Sequence, residues 1–335
     1  KGKGIHCALE ILADYFLPHV GEVNFREKAL FLGYMVFRMI SVSAGLDLPT
    51  DRDNFKFKRL ELPGMLIQQL FREYYNLQQK QIKLSIEKVL YYNQDIYENN
   101  LPGLINDTHS AAFTENRLVE AGFKKAFKGN WGATEHTKRI GVVQDMNRLS
   151  FLSYLSHMRK TNLDIGTGAK LVGPRVLHGS QWGLYDPIDT PDGGNIGLHK
   201  HLAISTYITI GSSMYPIIKW LRAHTSMELI LECSPEYLGN STKIFVNGTW
   251  IGVIDKPLEL VKMLKLYRRN GIIPTFTSIS FNYQNNDINI YTDAGRLTRP
   301  IYYIEDGNIS FNRQDVTELF TNGDRKSTRL NSSHV

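Results

Sequence analysis

The chain has 335 residues, 42% hydrophobic and 11% aromatic, which excludes a disordered chain and leaves material for more than one buried core. No run approaches the eighteen or so apolar residues of a membrane helix, and the opening KGKGIHCALEILADYFLPH lacks a clean signal-peptide core, so a soluble intracellular protein is expected. The net charge of +6 is uneven: Lys124 to Arg175 carries ten Lys and Arg against three acids, leaving 29 bases and 30 acids elsewhere, as expected of a surface that meets phosphates.

The chain begins without Met in what reads as an ongoing helix, which suggests an internal fragment. Residues 24–40, NFREKALFLGYMVFRMI, read as a helix capped by Asn24. A turn-rich connector, DLPTDRDNFKFKRLELPG, leads to a second helix from about Pro63 to Tyr92, with Met65, Leu66, Leu70 and Tyr74 at helical spacing and Pro63 in its first turn. DIYENNLPGLINDTHS reads as loop or short helix. Residues 130–211 are dense in Gly, Thr, Asn and Pro, so irregular loops pinned by a few short elements are expected there. KIFVNGTWIGVI alternates apolar residues around Asn247-Gly248, the dipeptide that a type I′ hairpin turn demands. A helix behind Asp255 follows, with Pro257 in its first turn, Leu260, Leu264 and Tyr267 on one face, and Arg268, Arg269 and Gly271 at its end. INIYTDAG and RPIYYIED read as two strands separated by a turn around Gly295. The closing DRKSTRLNSSHV is polar and aperiodic and resembles a translated sequencing adapter, so residues from about Asp324 are left out of the fold.

The acids Asp186, Asp189 and Asp192 crowd the stretch WGLYDPIDTPDGGNIG. They suit either a metal site or a turning loop, and the Asp-Pro and Pro-Asp-Gly punctuation favours the loop, where Asp carboxylates bond nearby backbone N–H groups. His199 and His201 would share one face of a strand but lack a third ligand for a closed zinc site. Histidines 136, 157 and 178 read as structural or surface residues, and His157 could also face a nucleic acid. Cys7 and Cys233, the only cysteines, cannot build a disulfide framework or a paired-thiolate zinc site. No P-loop and no nucleophile elbow is present, so no self-contained active site is expected.

The basic segment carries an ordered set of motifs: R-x-G-V-x-Q-x-x-N-R from Arg139, L-S-x-L-S-H-x-R-x-T-N from Leu152, P-R-x-L-H-x-x-x-W-G-L from Pro174, then T-P-D-G from Thr190. Together with DRDNFKFKRLELPG, FVNGTWIGV and YTDAGRLTRPIYYIED, they resemble the second-largest, beta-type subunit of multisubunit DNA-directed RNA polymerase, over essentially the whole chain to about Gly323. The likeness is nearest to eukaryotic, archaeal or large-DNA-virus enzymes, while GGNIGL is closer to the bacterial loop.

The resemblance implies a mixed α+β, multidomain fold. Residues 1–50 would be the end of a lobe, 51–125 the closing part of a protrusion, 126–205 the fork, 206–280 a first external domain, 281–323 the start of a second, and 324–335 a non-native tail. It also implies that Lys138, Arg139, Gln144, Asn147, Arg148, His157 and Arg159 face the RNA or template path, that Lys170 and Arg175 lie near downstream DNA, and that Asp192 and Asn195 support the active centre. One loop near the RNA–DNA hybrid would be about Ala133 to Arg139, and another near the bubble's downstream edge about Gly166 to Lys170. Magnesium would be held by the largest subunit, and the full subunit's zinc site would lie outside this chain. Partners would be template DNA, the RNA–DNA hybrid, the largest subunit and the other polymerase subunits, with no membrane. Location would be nuclear in a eukaryotic cell, or cytoplasm, viral factory or virion for a virus. The chain departs from the nuclear pattern Glu-Thr-Pro-Glu-Gly-Gln in having Asp189, Asp192 and Gly194, and it lacks Arg-Asp at the tip formed by Thr167-Gly168-Ala169. The isolated chain would be inactive. Two rival readings remain, a stand-alone basic RNA-binding module and a metal-dependent nuclease using the acid loop.

Overall fold

In a computed structural model of the chain, Asn247 and Gly248 both take positive φ, 51° and 83°, and join strands Thr242–Val246 and Thr249–Ile254 as the sequence requires. Residues 2–97, 100, 102–104, 117–302, 304, 305, 307–309, 313, 314, 317 and 331–334 are described. They fall into two compact units, one of Lys1–Leu60 with Arg159–Val335 and the other of Glu61–Met158.

The hairpin is the centre of a five-stranded sheet in the first unit. Its order is Glu228–Leu229, Thr249–Ile254, Thr242–Val246, Asp287–Tyr291 and Ser278–Asn282. Thr242–Val246 and Asp287–Tyr291 run parallel, and every other neighbouring pair is antiparallel. A parallel pair needs a long crossover, and the helix Pro257–Arg269 lies on that connection. Side chains alternate across a strand, so Ile244 and Val246 point to one face and Phe245 to the other. The first face packs with Ile288 and Ile290 against Leu260, Val261 and Leu264 of that helix, and against Ile217 and Leu221 of the helix Tyr215–His224. The second brings Phe245, Trp250 and Val253 against Leu30, Phe31 and Tyr34 of the helix Phe25–Ser43. Thr242–Val246 is therefore buried at all five positions.

Several local expectations need correction. Asn24 does precede the helix Phe25–Ser43, but its side chain makes no cap bond, and its Nδ2 donates to Val20 O at 2.9 Å. The capping in this region comes from Lys28 instead. Its buried ammonium donates to Leu12 O at 2.6 Å and Ala13 O at 3.0 Å, satisfying carbonyls at the end of the helix Gly2–Asp14. The helix behind Asp255 does form, starting at Pro257 after Lys256, and Asp255 accepts from the Tyr237 hydroxyl at 2.9 Å. Leu260 and Leu264 of that helix are buried, and Tyr267 meets Trp220 edge-on at 5.3 Å. Strands do lie on either side of Gly295 as expected, in different sheets, because Leu297–Ile301 pairs with Tyr207–Ile208 and Asp287–Tyr291 with Ser278–Asn282. Asn331–His334, in the tail set aside on composition, forms a strand along the other side of Leu297–Ile301.

The second unit is built on the helix Pro63–Tyr92, whose bounds match expectation. Leu70 and Tyr74 bury against Ala126 of the helix Leu118–Phe127 and against Trp131, with Leu66 packed alongside. Met65, expected on that face, is exposed. Of DIYENNLPGLINDTHS, the first three residues close the short helix Gln94–Tyr97 and residues 102–104 are helical, and the segment's other residues lie largely outside the described ones. Residues 130–211 are irregular as anticipated, held by the helix Phe151–Met158, short 3-10 turns, and the antiparallel strands Lys160–Asn162 and His199–His201.

Ile288 lies wholly inside the sheet's main core. Ile288→Ala should therefore lower the unfolding free energy of that unit by about 2–5 kcal/mol, read as a lower urea midpoint by tryptophan fluorescence.

Candidate nucleic-acid interface

In the unit Glu61–Met158, the polar residues of the basic segment bond mainly to one another. Asn147 N–H donates to His157 Nδ1 at 3.0 Å, which leaves the ring proton on Nε2, facing Gln144 Oε1 at 3.1 Å. Gln144 Nε2 donates to Gly141 O at 2.8 Å, and Asn147 Oδ1 accepts from Leu149 N–H at 3.0 Å. Gln144, Asn147 and His157 thus fix the loop ahead of the helix Phe151–Met158, spending most of their donors and acceptors internally. Arg139 pairs with Glu61, and Lys138 with Glu135 at 2.6 Å. Arg148 lies over the Tyr154 ring at 4.7 Å rather than against Asp145, an arrangement that leaves the guanidinium edge, with its N–H donors, exposed.

In the other unit, Arg159 is turned onto backbone. Its Nη2 donates to Ala203 O at 2.6 Å, while its own carbonyl accepts from Leu202 N–H at 3.0 Å. Arg175 is also turned onto backbone, with Nη1 donating to Gly194 O at 2.8 Å and Ile196 O at 3.0 Å, and Nη2 to Thr167 O at 3.1 Å. Lys170 is exposed on the loop that Thr167 opens. Asp192 precedes an exposed 3-10 turn, Gly193–Asn195, which ends in Asn195, and the Asp192 carboxylate does not cap it.

The three crowded acids do not converge. Asp186 Oδ1 accepts from the backbone N–H of Ile188 at 2.9 Å and of Asp189 at 3.3 Å, the local turn that its Asp-Pro context favours. Asp189 Oδ2 lies 2.8 Å from His201 Nδ1. No group of three or more His, Cys, Asp or Glu able to hold a metal occurs among the described residues, so the nuclease reading has no geometry to rest on. His199 and His201 do alternate along a strand, as anticipated. Burial, with Lys160 and His201 nearby, lowers the His199 pKa below its ordinary 6.5.

One anchor was not singled out in the sequence. His178 Nδ1 accepts from Ser180 N–H at 3.1 Å, so Nε2 carries the proton and donates to Asp51 Oδ2 at 2.6 Å. The Asp53 backbone N–H and His178 hold the Asp51 carboxyl below its usual range. Ser180 Oγ accepts in turn from Phe55 N–H at 3.0 Å. The DRDNF segment is thereby pinned to the P-R-x-L-H motif. The available signal was that both stretches carry the polymerase resemblance. Nearby, Lys200 is buried, and burial and then Lys58 lower its pKa, with Asp53 opposing.

Two family models match the chain, RNA polymerase Rpb2 domain 3 at residues 144–208 and Rpb2 domain 4 at residues 244–305. The chain is 36% identical over 322 residues to the DNA-directed RNA polymerase II subunit RPB2 of Encephalitozoon cuniculi, covering 95% of this chain and 27% of that protein. Rpb2 domains 3 and 4 are thus matched in sequence order, and the likeness to RNA polymerase second-largest subunits runs over most of the chain. It is also 36% identical over 323 residues to DNA-directed RNA polymerase II subunit 2 of Arabidopsis thaliana, covering 95% of the chain and 26% of that protein. A further relative is the DNA-directed RNA polymerase III subunit RPC2 of Saccharomyces cerevisiae, 34% identical over 304 residues, or 89% of the chain and 26% of that protein. The chain spans about a quarter of the length of these curated relatives. Its Rpb2 domain 3 match includes the Gln144–His157 network, the Arg175 contacts and the acid loop, and its domain 4 match falls on the five-stranded sheet.

An unfolded histidine takes up a proton near pH 6.5, and folded His199 only at lower pH. The stability contributed by its neutral ring is thus complete above 6.5 and lost as pH falls through the folded value. His199→Gln should remove that component, so the urea midpoint of the variant should fall less than that of the unsubstituted protein between pH 7 and pH 5.

Proposed function

We propose that this chain is part of the second-largest subunit of a DNA-directed RNA polymerase, an assembly that transfers nucleotidyl groups from ribonucleoside triphosphates to the growing RNA end. The observation that carries this reading is the 36% identity to polymerase subunits over 95% of the chain. Within the assembly, residues 126–205 act as the fork, 1–50 as the end of the lobe, 51–125 as part of the protrusion, and 206–280 and 281–323 as external domains. The largest subunit holds the catalytic magnesium, and the chain works beside it and the other polymerase subunits. The eukaryotic relatives support a nuclear location.

The fork's task is to hold RNA–DNA hybrid and downstream DNA of any sequence, so its contacts go to phosphate and sugar. Arg148 suits this work best in its unit, because stacking on Tyr154 orients a planar donor set that faces outward. Lys170 offers an exposed charge to the downstream duplex. Lys138 meets phosphate by exchanging its exposed pair with Glu135, which is worth little in water. Gln144, Asn147 and His157 shape the surface that carries Arg148. Asp192 and Asn195 orient neighbours near the active centre from their exposed turn.

The test uses the full-length subunit in reconstituted polymerase, measuring how tightly nucleic acid is held at several salt concentrations. Arg148→Ala and Lys170→Ala should each lower the log–log salt slope, by about 0.9 for a duplex phosphate and about 0.7 for a single-stranded one. An unchanged slope for both would remove them from the interface. A full-length protein that does not assemble with a largest polymerase subunit would overturn the reading as a whole.

A further inference from the structure

We infer that Arg175 is a positioning residue: it fastens the loop carrying Lys170 to the loop carrying Asp192 and Asn195, and acts on downstream DNA only through that fastening. The inference rests on the proposed contact of Lys170 with downstream DNA.

The geometry is a three-carbonyl clamp. Both Nη1 donors are used, on Gly194 O and Ile196 O, and Nη2 reaches Thr167 O, all between 2.8 and 3.1 Å. Gly194 and Ile196 belong to the acid loop, and Thr167 sits three residues before Lys170. A guanidinium presents its donors in a fixed planar fork, so one side chain can hold carbonyls from two loops at once, whereas an ammonium on a flexible stem cannot keep the same three directions. With three of its five donors on these carbonyls, the Arg175 head is oriented by the two loops.

The backbone reinforces the clamp from the other side. Gly197 has φ +70°, and a Cβ there would lie 2.1 Å from Arg175 O, so the acid loop runs directly against the backbone of residue 175. Only glycine fits that approach. The loop of Gly166 to Lys170 carries only one local backbone bond of its own, Ala169 N–H to Gly166 O at 2.9 Å. Its position is thus set largely by what Arg175 holds, and Lys170 inherits that position.

The test measures how reconstituted polymerase, holding a template–RNA scaffold, binds a downstream duplex across salt concentrations, with the subunit carrying Lys170→Ala, Arg175→Lys, Arg175→Ala, Gly197→Ala or both Lys170→Ala and Arg175→Lys. Arg175→Lys keeps the charge and breaks the clamp, and Gly197→Ala forces the loops apart with every cation in place. Both should lower the slope by about 0.9, as Lys170→Ala does, and the double variant should fall no further. Amide exchange at residues 166–170 should quicken in Arg175→Lys and Gly197→Ala. If Arg175→Lys keeps the original slope while Arg175→Ala lowers it by about 0.9, then Arg175 is itself a phosphate contact and the inference is overturned. If Lys170→Ala leaves the slope unchanged, the proposed contact fails, and exchange alone decides: unaltered protection of residues 166–170 in Arg175→Lys sinks the clamp, while faster exchange upholds it.

Discussion

A backbone that leaves helix or sheet still carries carbonyls that need donors, and in this chain cationic side chains supply many of them. Lys28 closes the end of the first helix through Leu12 O and Ala13 O. Arg159 holds Ala203 O, Arg175 holds three carbonyls, Arg296 reaches Phe276 O, and Arg299 reaches Trp182 O. This fits the composition of residues 130–211, which is too rich in Gly, Pro, Asn and Thr to satisfy its own backbone with regular ladders. Long cationic stems cover the distance between loops, and their heads do the bonding.

This constraint changes the meaning of the positive charge. The surplus between Lys124 and Arg175 reads in the sequence as a surface for phosphates, yet Arg159 and Arg175 bond to backbone carbonyls, and Lys138 and Arg139 have carboxylate partners. What remains outward is a smaller set headed by Arg148 and Lys170. A charge count locates a segment, but the carbonyls around each head decide which charges reach solvent.

The elements most legible in the sequence are those specified by near neighbours. The Asn247-Gly248 hairpin, the helix from Pro63 and the turn at Asp186 each depend on residues within a few positions, and local chemistry settled them. The Asn24 cap was read by the same local logic and failed, its side-chain amide bonding Val20 O instead. The Asp51–His178 anchor spans 127 residues, and the Glu61–Arg139 pair 78, so no local pattern announces them. The family was legible for a different reason: ordered motifs preserve the sum of many distant constraints without revealing any single one. Of the candidate interface, the irregular character of residues 130–211 was legible in advance, but not which side chains face outward.

The parallel pairing at the centre of the sheet sets an order of events during synthesis. Thr242–Val246 gains its hairpin partner as soon as Ile254 has been made, because the turn between them has two residues. Its other edge waits for Asp287–Tyr291, which follows the helix Pro257–Arg269 and the strand Ser278–Asn282. At about 5–20 residues per second, a strand apolar on both faces is left with unpaired backbone for a few seconds. The emerging chain is most exposed to wrong partners in that interval, after the hairpin has closed and before the second neighbour arrives.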